Sequence, residues 1–309
     1  MLINADAANH LANKVLAPLA AYYGLPAIEE VVVNRPGEIW VKPRRDGWKL
    51  HEAPELTYEY LVNKVCKVLA NINRARFDEK DVPIVSTELP GLPFRFQAVA
   101  GSNVRYDKTD RRGVCIAIRS LAADTSIGMD AFVPAGIDLP GLARLFEDMD
   151  ASLDHIDRIK SAIDRGMSIL VSGATSSGKT TFTNQLIRQI DQDMRVITVE
   201  DVIELDVPQP NRVRLTVPRN RGTNAIGYPE ILDSLVRLTP DFIICGEVSV
   251  RNAASVYSLM GKGHPVISTI HANTPDEAMT AIVNNMASDG SNLDSEATKQ
   301  TLRQLIGCV

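Results

Sequence analysis

The sequence predicts an α/β chain: an N-terminal α+β domain with an antiparallel sheet, then a phosphate-loop domain with a mostly parallel sheet. Three observations indicate this class. Short β-rich stretches separated by turn signals fill the first 120 or so residues. Strands and helices then alternate along the second half of the chain. The stretch 173–180, Gly-Ala-Thr-Ser-Ser-Gly-Lys-Thr, fits the phosphate-loop pattern G-x-x-x-x-G-K-[ST] in full.

The N-terminal domain, 1–121, is predicted to begin with a helix over about 6–23, since apolar residues recur there at helical spacing. Asp46-Gly47 is a hairpin signal between two apolar runs. Thr57 is a predicted N-cap for a helix that runs to about Ile72. The predicted strands of this domain cover 28–34, 39–41, 48–50, 84–86, 94–99 and 114–119.

Glycines and prolines with little periodicity predict a linker over 122–150. The second domain, 151–309, shows strands and helices in alternation, which is typical of a parallel sheet covered by helices. Its predicted helices are 156–164, a helix that begins at 178, 229–238 and 251–260. Its predicted strands are 168–172, 195–199, 242–245 and 265–270. The stretch 204–228 is expected to be irregular.

Composition excludes several classes of protein. Hydrophobic residues make up 45% of the 309 residues and charged residues 23%, the balance of a globular domain, and no apolar run is long enough to cross a bilayer. The net charge of -5 provides no global attraction to nucleic acid or anionic lipid. The four cysteines follow no CxxC spacing, which argues against zinc and disulfide frameworks and favours a reducing cytosol.

The phosphate loop predicts a nucleotide site. A buried strand precedes it and an amphipathic helix follows it, so backbone N–H groups and the helix N-terminus would surround a polyphosphate. Lys179 would reach the β- and γ-phosphates, and Thr180 would offer its hydroxyl to Mg²⁺. The predicted contacts with the nucleotide come from Gly173, Ala174, Thr175, Ser176, Ser177, Gly178, Lys179, Thr180 and Thr181.

Polar groups follow three predicted strands at their carboxyl ends, where open parallel sheets bind ligands. Glu200 follows the strand 195–199, Glu247 follows 242–245, and His271 follows 265–270. A carboxylate there could organise Mg²⁺ or orient the attacking water. Taken singly, a carboxylate or histidine after a strand is more often a solvated loop residue; two carboxylates beside a phosphate loop favour function.

The motifs resemble those of the secretion-ATPase superfamily, and most closely its type IV secretion and conjugal-transfer branch. The resemblance is carried by four stretches in order: 173–180, the acidic box 197–201, the atypical Walker B stretch 238–247 and the histidine box 263–273. A weaker match covers 30–41 and Ile118-Arg119. The absence of a four-cysteine zinc insert speaks against the type II secretion branch.

The resemblance implies a RecA-like ATPase domain that hydrolyses ATP with Mg²⁺. Glu200 and Glu247 would share water activation and metal organisation, and His264 and His271 would sense the γ-phosphate. The resemblance also implies a homohexameric ring at the cytoplasmic face of a bacterial inner membrane, with peripheral membrane contact, inner-membrane secretion partners and no sequence-specific nucleic acid. Further nucleotide contacts would come from arginines of the first domain: Arg95, Arg105 and Arg119.

Two departures from the family pattern stand out. Ser249 and Asn252 occupy positions where the family has an arginine and an acidic residue that take part in subunit contact. The sequence stops at Cys308-Val309, where the family continues with a strand and helices, so we expect a chain truncated at its C-terminus.

Three classes of function remain open on the sequence. The first is an ATPase motor of type IV secretion, with a pilus or type II secretion motor of the same superfamily as its alternative. The second is a nucleotide-binding regulatory or scaffold subunit with little turnover. The third, a GTPase or small-molecule kinase, is disfavoured because no Asn-Lys-x-Asp guanine reader and no basic acceptor lid are present. The division of labour between Glu200 and Glu247 also stays open.

Overall fold

A computed structural model describes residues 5–25, 28–44, 46–121, 155–217, 226–291 and 294–308. The predicted linker, 122–150, lies outside the described residues. The chain divides into two compact units. The first comprises Met1–Ala122, Gln192–Ile203 and Gln209–Pro240, and the second comprises Ala123–Asp191, Glu204–Pro208 and Asp241–Val309. No helix of the described ranges is long and apolar enough to cross a membrane.

The first unit contains a six-stranded antiparallel sheet in the order β3-β2-β1-β7-β5-β4. Its longest pairing joins β5 and β7 in register from Phe94↔Ser120 to Gly101↔Gly113. The strands are β1 (Ile28–Val33), β2 (Gly37–Pro43), β3 (Lys49–Ala53), β4 (Ile84–Glu88), β5 (Phe94–Gly101) and β7 (Gly113–Ser120). The predicted antiparallel sheet is thus confirmed.

The core of the first unit lies between one face of this sheet and three helical segments: α1 (Ala5–Tyr23), a π-helical segment (Tyr60–Cys66) and α2 (Lys67–Ile72). Residues two apart on a strand share a face, so Phe96, Ala98 and Ala100 all enter this core. Gly101 ends the strand at φ +76°, and a Cβ there would lie 1.9 Å from the Glu79 carbonyl oxygen, so only glycine fits.

The first unit also contains strands from later in the chain. β9 (Val196–Glu200) pairs in parallel with β10 (Arg212–Thr216), and β10 pairs antiparallel with β6 (Val104–Arg105). The expectation that 204–228 is irregular is therefore wrong over β10. Residues 192–203 and 209–240 belong to the first unit, whereas the sequence predicts them within the domain 151–309. The predicted domain boundaries stay a prediction.

The second unit contains four parallel strands in the order β13-β8-β12-β11. These are β8 (Ser168–Ser172), β11 (Phe242–Cys245), β12 (Val266–Ile270) and β13 (Ile306–Cys308). Every residue of β11 and β12 is buried, as expected for parallel strands covered by helices.

The helices after β8 alternate with these strands. The described helices of this second half are α3 (His155–Asp164), α4 (Lys179–Gln189), α5 (Tyr228–Leu235, in the first unit), α6 (Ala253–Gly261), α7 (Pro275–Ser288) and α8 (Ser295–Leu305). α4 packs against β8 and β12, while α6, α7 and α8 pack against one another. The α/β class with one mostly parallel sheet is confirmed. The elements α7, α8 and β13 were not predicted from the sequence.

Candidate functional site

The phosphate loop joins the end of β8 to the first residue of α4, so the predicted strand, loop and helix follow one another as the motif requires. Gly173 is needed for space, because a Cβ there would lie 2.5 Å from Ser177 Oγ. Gly178 stands before α4 at φ +91°, a conformation that favours glycine. The loop residues Ala174 to Gly178 are exposed, so their backbone is accessible to a ligand.

Lys179 curls back over its own loop. Its Nζ donates to the carbonyl oxygens of Gly173 at 2.9 Å and Ala174 at 2.8 Å. It also lies 3.3 Å from Nδ1 of His271. An ammonium group has three donors and no acceptor, so these three partners use its full donor capacity. A phosphate that binds the loop would replace some of these partners by oxygens carrying negative charge.

His271 connects Lys179 to Glu247. Because the ammonium can only donate, Nδ1 of His271 must accept, which puts the ring proton of a neutral histidine on Nε2. Nε2 lies 3.5 Å from Oε1 of Glu247. The side chains of His271 and Glu247 are 48% and 41% exposed, so water and ligand reach both. The structure thus brings together three predicted site residues from three separate stretches of the chain.

Two hydroxyl groups on β12 hold the last residue of β11 and the residue after it, directly before Glu247. Ser268 Oγ donates to the Cys245 carbonyl oxygen at 2.7 Å, and Thr269 Oγ1 donates to that of Gly246 at 2.8 Å. Val248 N donates to the Thr269 carbonyl oxygen at 2.7 Å. In the sequence, Ser268 and Thr269 appear only as members of the histidine box 263–273. The signal for their structural role is that two hydroxyl residues lie inside a buried, otherwise aliphatic strand.

An open groove of about 640 Å³ lies beside the loop, within the size range of small-molecule sites. Ala174, Thr175 and His271 form one side, and Thr280 and Asn284 of α7 line it too. Thr274 caps α7 by accepting from Glu277 N at 3.1 Å. The groove therefore extends the phosphate loop into a space that could receive the rest of a nucleotide.

Thr180 and Thr181 occupy the first turn of α4, and both are exposed. Among the described residues no group of three or more His, Cys, Asp or Glu could hold a metal ion. Mg²⁺ in nucleotide sites keeps several waters and uses few protein ligands besides the phosphates. The Thr180 hydroxyl and the accessible Glu247 carboxylate fit that donor chemistry.

His264 lies apart from this cluster. It precedes β12, whereas His271 follows it, so the strand separates the two histidines by roughly 20 Å at about 3.3 Å per residue. Its N–H donates to the Leu259 carbonyl oxygen at 3.2 Å. Burial, assisted by Lys262, lowers the pKa of His264, so it is neutral at physiological pH. The structure does not bring His264 to Lys179.

Glu200 belongs to the first unit, as the last residue of β9. Its side chain is buried, at 3% exposure, and Thr198 Oγ1 lies 3.5 Å from its Oε2. The next residue, Asp201, accepts a hydrogen bond from the Tyr228 hydroxyl of α5. The strand-end position is as predicted, while the role of Glu200 in the nucleotide site stays a prediction.

The three predicted arginine contacts also lie in the first unit. Arg95 and Arg119 are register partners on β5 and β7. Arg119 Nη2 lies 3.5 Å from Glu29 and its Nε 3.3 Å from Glu30. Arg105 stands on β6, in the other sheet of this unit. The structure therefore brings Arg95 and Arg119 together and keeps Arg105 separate from them.

Glu30 is a carboxylate whose burial costs stability. Desolvation raises its pKa, and Thr239, Arg119, Lys42 and Arg195 oppose the shift only in part. The folded chain therefore binds this proton more tightly than the unfolded chain, so stability falls as pH rises above the ordinary value of 4.5.

We expect Glu30→Gln to gain thermal stability relative to wild type as pH rises from about 4.5 to 7.5, because it removes the charge that burial disfavours. The check is the difference in melting temperature between variant and wild type at each pH. Glu29→Gln is the control, since that side chain also contacts Arg119 but keeps solvent contact. A Glu30→Gln difference that shrinks as pH rises would contradict the account.

Comparison with known proteins decides the family. The family model described as "Type II/IV secretion system protein" matches residues 13–307. The chain belongs to this family. It is a traffic ATPase of the type IV secretion class.

Its relatives include the type IV secretion system protein VirB11 of Bartonella quintana, 29% identical over 95% of this chain and 86% of the relative. The PtlH homologue of Bordetella bronchiseptica is 32% identical over 82% of this chain and 75% of the relative. Among solved structures, the VirB11 ATPase from the Brucella suis type IV secretion system, in complex with sulphate, superposes with a TM-score of 0.80 at 25% identity. That match covers 98% of this chain and 89% of the other.

The altered Walker B loop of this secretion ATPase has its own internal support. Asn252 is 1% exposed; its Oδ1 accepts from Ser249 N at 2.8 Å, and its Nδ2 donates to the Glu247 carbonyl oxygen at 2.8 Å. One amide thus ties both ends of the loop that carries Glu247. An acidic residue at position 252 would lack the Nδ2 donor, so asparagine changes how this loop is held.

Proposed function

We propose that this chain hydrolyses ATP with Mg²⁺ at the loop 173–180, as a homohexameric ring that powers type IV secretion or conjugative transfer. The observation that carries the proposal is the contact series from Lys179 through His271 to Glu247. It links the residue that would bind the γ-phosphate to the carboxylate that would orient the attacking water.

The chemistry of the proposal follows from these contacts. Lys179 would exchange carbonyl partners for phosphate oxygens and neutralise charge that develops in the transition state. Glu247, held by β12 and Asn252, would orient water, and Glu200 would supply the second carboxylate. Mg²⁺, when bound beside Thr180, would neutralise phosphate charge. His271 would couple phosphate binding at Lys179 to the position of Glu247, since Lys179 and Glu247 contact opposite nitrogens of its ring.

The proposal extends to the cellular setting. We place the ring at the cytoplasmic face of a bacterial inner membrane, in peripheral contact with it and with inner-membrane secretion proteins. The net charge of -5 supports contact through proteins rather than through sequence-specific nucleic acid. The relatives named above are type IV secretion system proteins, which supports the same setting for this chain.

The test is the mass of the full chain in solution, with and without a non-hydrolysable ATP analogue, together with hydrolysis per subunit at rising protein concentration. We expect a particle of six subunits with the analogue and turnover that rises with concentration, because ring subunits complete one another's sites. A monomer under both conditions that binds ATP tightly and releases no product would overturn the motor and favour a regulatory subunit.

A further inference from the structure

The first unit holds a row of three arginines, of which only Arg105 is among the predicted nucleotide contacts. Arg214 of β10 and Arg105 of β6 are direct partners in the antiparallel register, and Arg212 lies two residues before Arg214, on the same face. Like charges directly opposite each other destabilise a strand pair. Three arginines concentrated in this way create a local positive potential that favours an anion.

The two opposed guanidinium groups have unmet hydrogen-bonding capacity. Nε of Arg105 and Nε of Arg214 are both buried, and neither has a hydrogen-bond partner among the residues that the structure describes. A buried donor without an acceptor is costly, and native proteins seldom keep one without a ligand or water to fill it. Two such donors on directly opposed arginines are available to a water or an anion that reaches both of them.

The nearby carboxylates compensate the arginines only in part. Asp107 influences Arg214 electrostatically, but its Oδ1 already accepts from Thr109 Oγ1 at 2.6 Å and from Thr109 N at 2.7 Å. Glu38 pairs with Arg35 at 3.2 Å. Asp107 keeps its negative charge beside Arg214, so one carboxylate stands against the three arginines 105, 212 and 214 and leaves positive charge for a further anion.

A cavity marks where that anion would enter. It is lined by Asn34, Tyr106 and the arginines Arg35, Arg105, Arg212 and Arg214. Its inner space is about 10 Å³, room for one water-sized group. One oxygen of a tetrahedral oxyanion can occupy it while the other oxygens meet guanidinium groups at the mouth, the geometry in which arginine binds phosphate well.

We propose that Arg105, Arg212 and Arg214 form a phosphate-binding site on the β6–β10 ribbon of the first unit. Its ligand class is a phosphate group, either free inorganic phosphate or a phosphate of a nucleotide. Of these three arginines, only Arg105 is among the nucleotide contacts that the resemblance implies; the ribbon adds Arg212 and Arg214 and makes the site a property of this unit. The site goes beyond the proposed hydrolysis and does not require it.

The test uses the full chain with Lys179→Ala, which weakens the phosphate loop as a competing anion site while the first unit keeps all its arginines. We expect inorganic phosphate to raise the melting temperature by about 2 °C or more over chloride at matched ionic strength, since a ligand of the native state stabilises it. Adding Arg214→Gln should abolish this shift and leave the phosphate-free melting temperature unchanged or higher, because one of two opposed charges is gone. Arg111→Gln, an exposed neighbour with the same charge change, should keep the shift.

No phosphate shift in the parent would overturn the site, as would an equal shift in Arg214→Gln and Arg111→Gln. If Arg214→Gln and Arg105→Gln each lower the melting temperature without phosphate, these arginines stabilise the fold themselves. That result would also overturn the phosphate site. A second arm replaces phosphate by ATP. An Arg214-dependent rise in melting temperature that needs less ATP than inorganic phosphate identifies a nucleotide phosphate as the ligand. A rise that needs equal concentrations of the two identifies free phosphate. Because none of these readouts needs turnover, failure of the site is distinct from failure of the ATPase, which wild-type hydrolysis alone reports.

Discussion

Replacing Lys179 by alanine is expected to lower ATP turnover by at least about 100-fold, the usual cost of losing one preorganised donor to developing charge. The structure gives the physical reason. The Lys179 ammonium is already held at the loop by two carbonyl oxygens and His271, so it needs little reorganisation to meet a phosphate. Alanine removes the positive charge and the link to His271 together. Phosphate release at saturating ATP, above the concentration at which subunits assemble, measures the effect.

The matched control is Lys160→Ala. Lys160 lies on α3 in the same unit, with its nearest carboxylate, that of Asp157, 3.9 Å away at the surface. We expect this variant to keep full turnover, and both variants to melt within a few degrees of wild type because neither side chain is buried. Near-normal hydrolysis by folded Lys179→Ala would show that the loop is not where the chemistry takes place.

Replacing Arg195 by alanine is expected to lower the free energy of unfolding by about 3–5 kcal/mol, the range for breaking a buried charged network. Arg195 is fully buried in the first unit. Its Nε donates to the Leu238 carbonyl oxygen at 2.9 Å, and its Nη1 donates to Asn211 Oδ1 at 2.8 Å and to Asn34 Oδ1. Alanine leaves these acceptors short of a donor and opens a cavity. The midpoint and slope of urea unfolding measure the change.

Two companion variants show how much of the lost stability comes from the hydrogen bonds of Arg195 and how much any arginine of this unit would cost. Arg195→Met keeps most of the volume and removes the donors, so its loss should be smaller than that of alanine and should isolate the hydrogen bonds. Arg237→Ala removes an arginine of the same unit that donates to Ser86 Oγ at 2.8 Å on the surface, and it should change stability by no more than about 0.5 kcal/mol. Equal small losses for all three variants would contradict a central role for Arg195.

The phosphate loop and the strand-end residues were predictable because their signals are local. Four defined positions at fixed spacing between a strand and a helix specify the conformation of 173–180, and the structure shows the strand, loop and helix in that order. Glu247 and His271 were predicted from the rule that parallel strands present their carboxyl ends at one edge. The rule depends on pairing: β11 pairs with β12, and β12 with β8, which carries the loop.

The elements and residues that sequence reasoning missed depend on distant partners. β10 reads Arg-Val-Arg-Leu-Thr, a weak strand signal with two charges, and it becomes a strand because β9 and β6 supply hydrogen bonds on both sides. In the sequence, Asn252 is only a departure from the family pattern. In the structure, its amide group bridges Ser249 and Glu247. His264 belongs to the same motif as His271 but lies at the other end of β12, because a strand separates the two.

The sequence by itself determined that this chain has an α/β fold with a nucleotide site, since short-range spacing fixes the phosphate loop and the alternation of strands and helices. Only the tertiary structure decided which side chains Lys179 touches, how the Glu247 loop is held, and that Arg105 faces Arg214 across a strand pair. The physical reason is that these contacts join residues far apart in sequence. Strand register and side-chain packing select them from many pairings that the local signals allow equally.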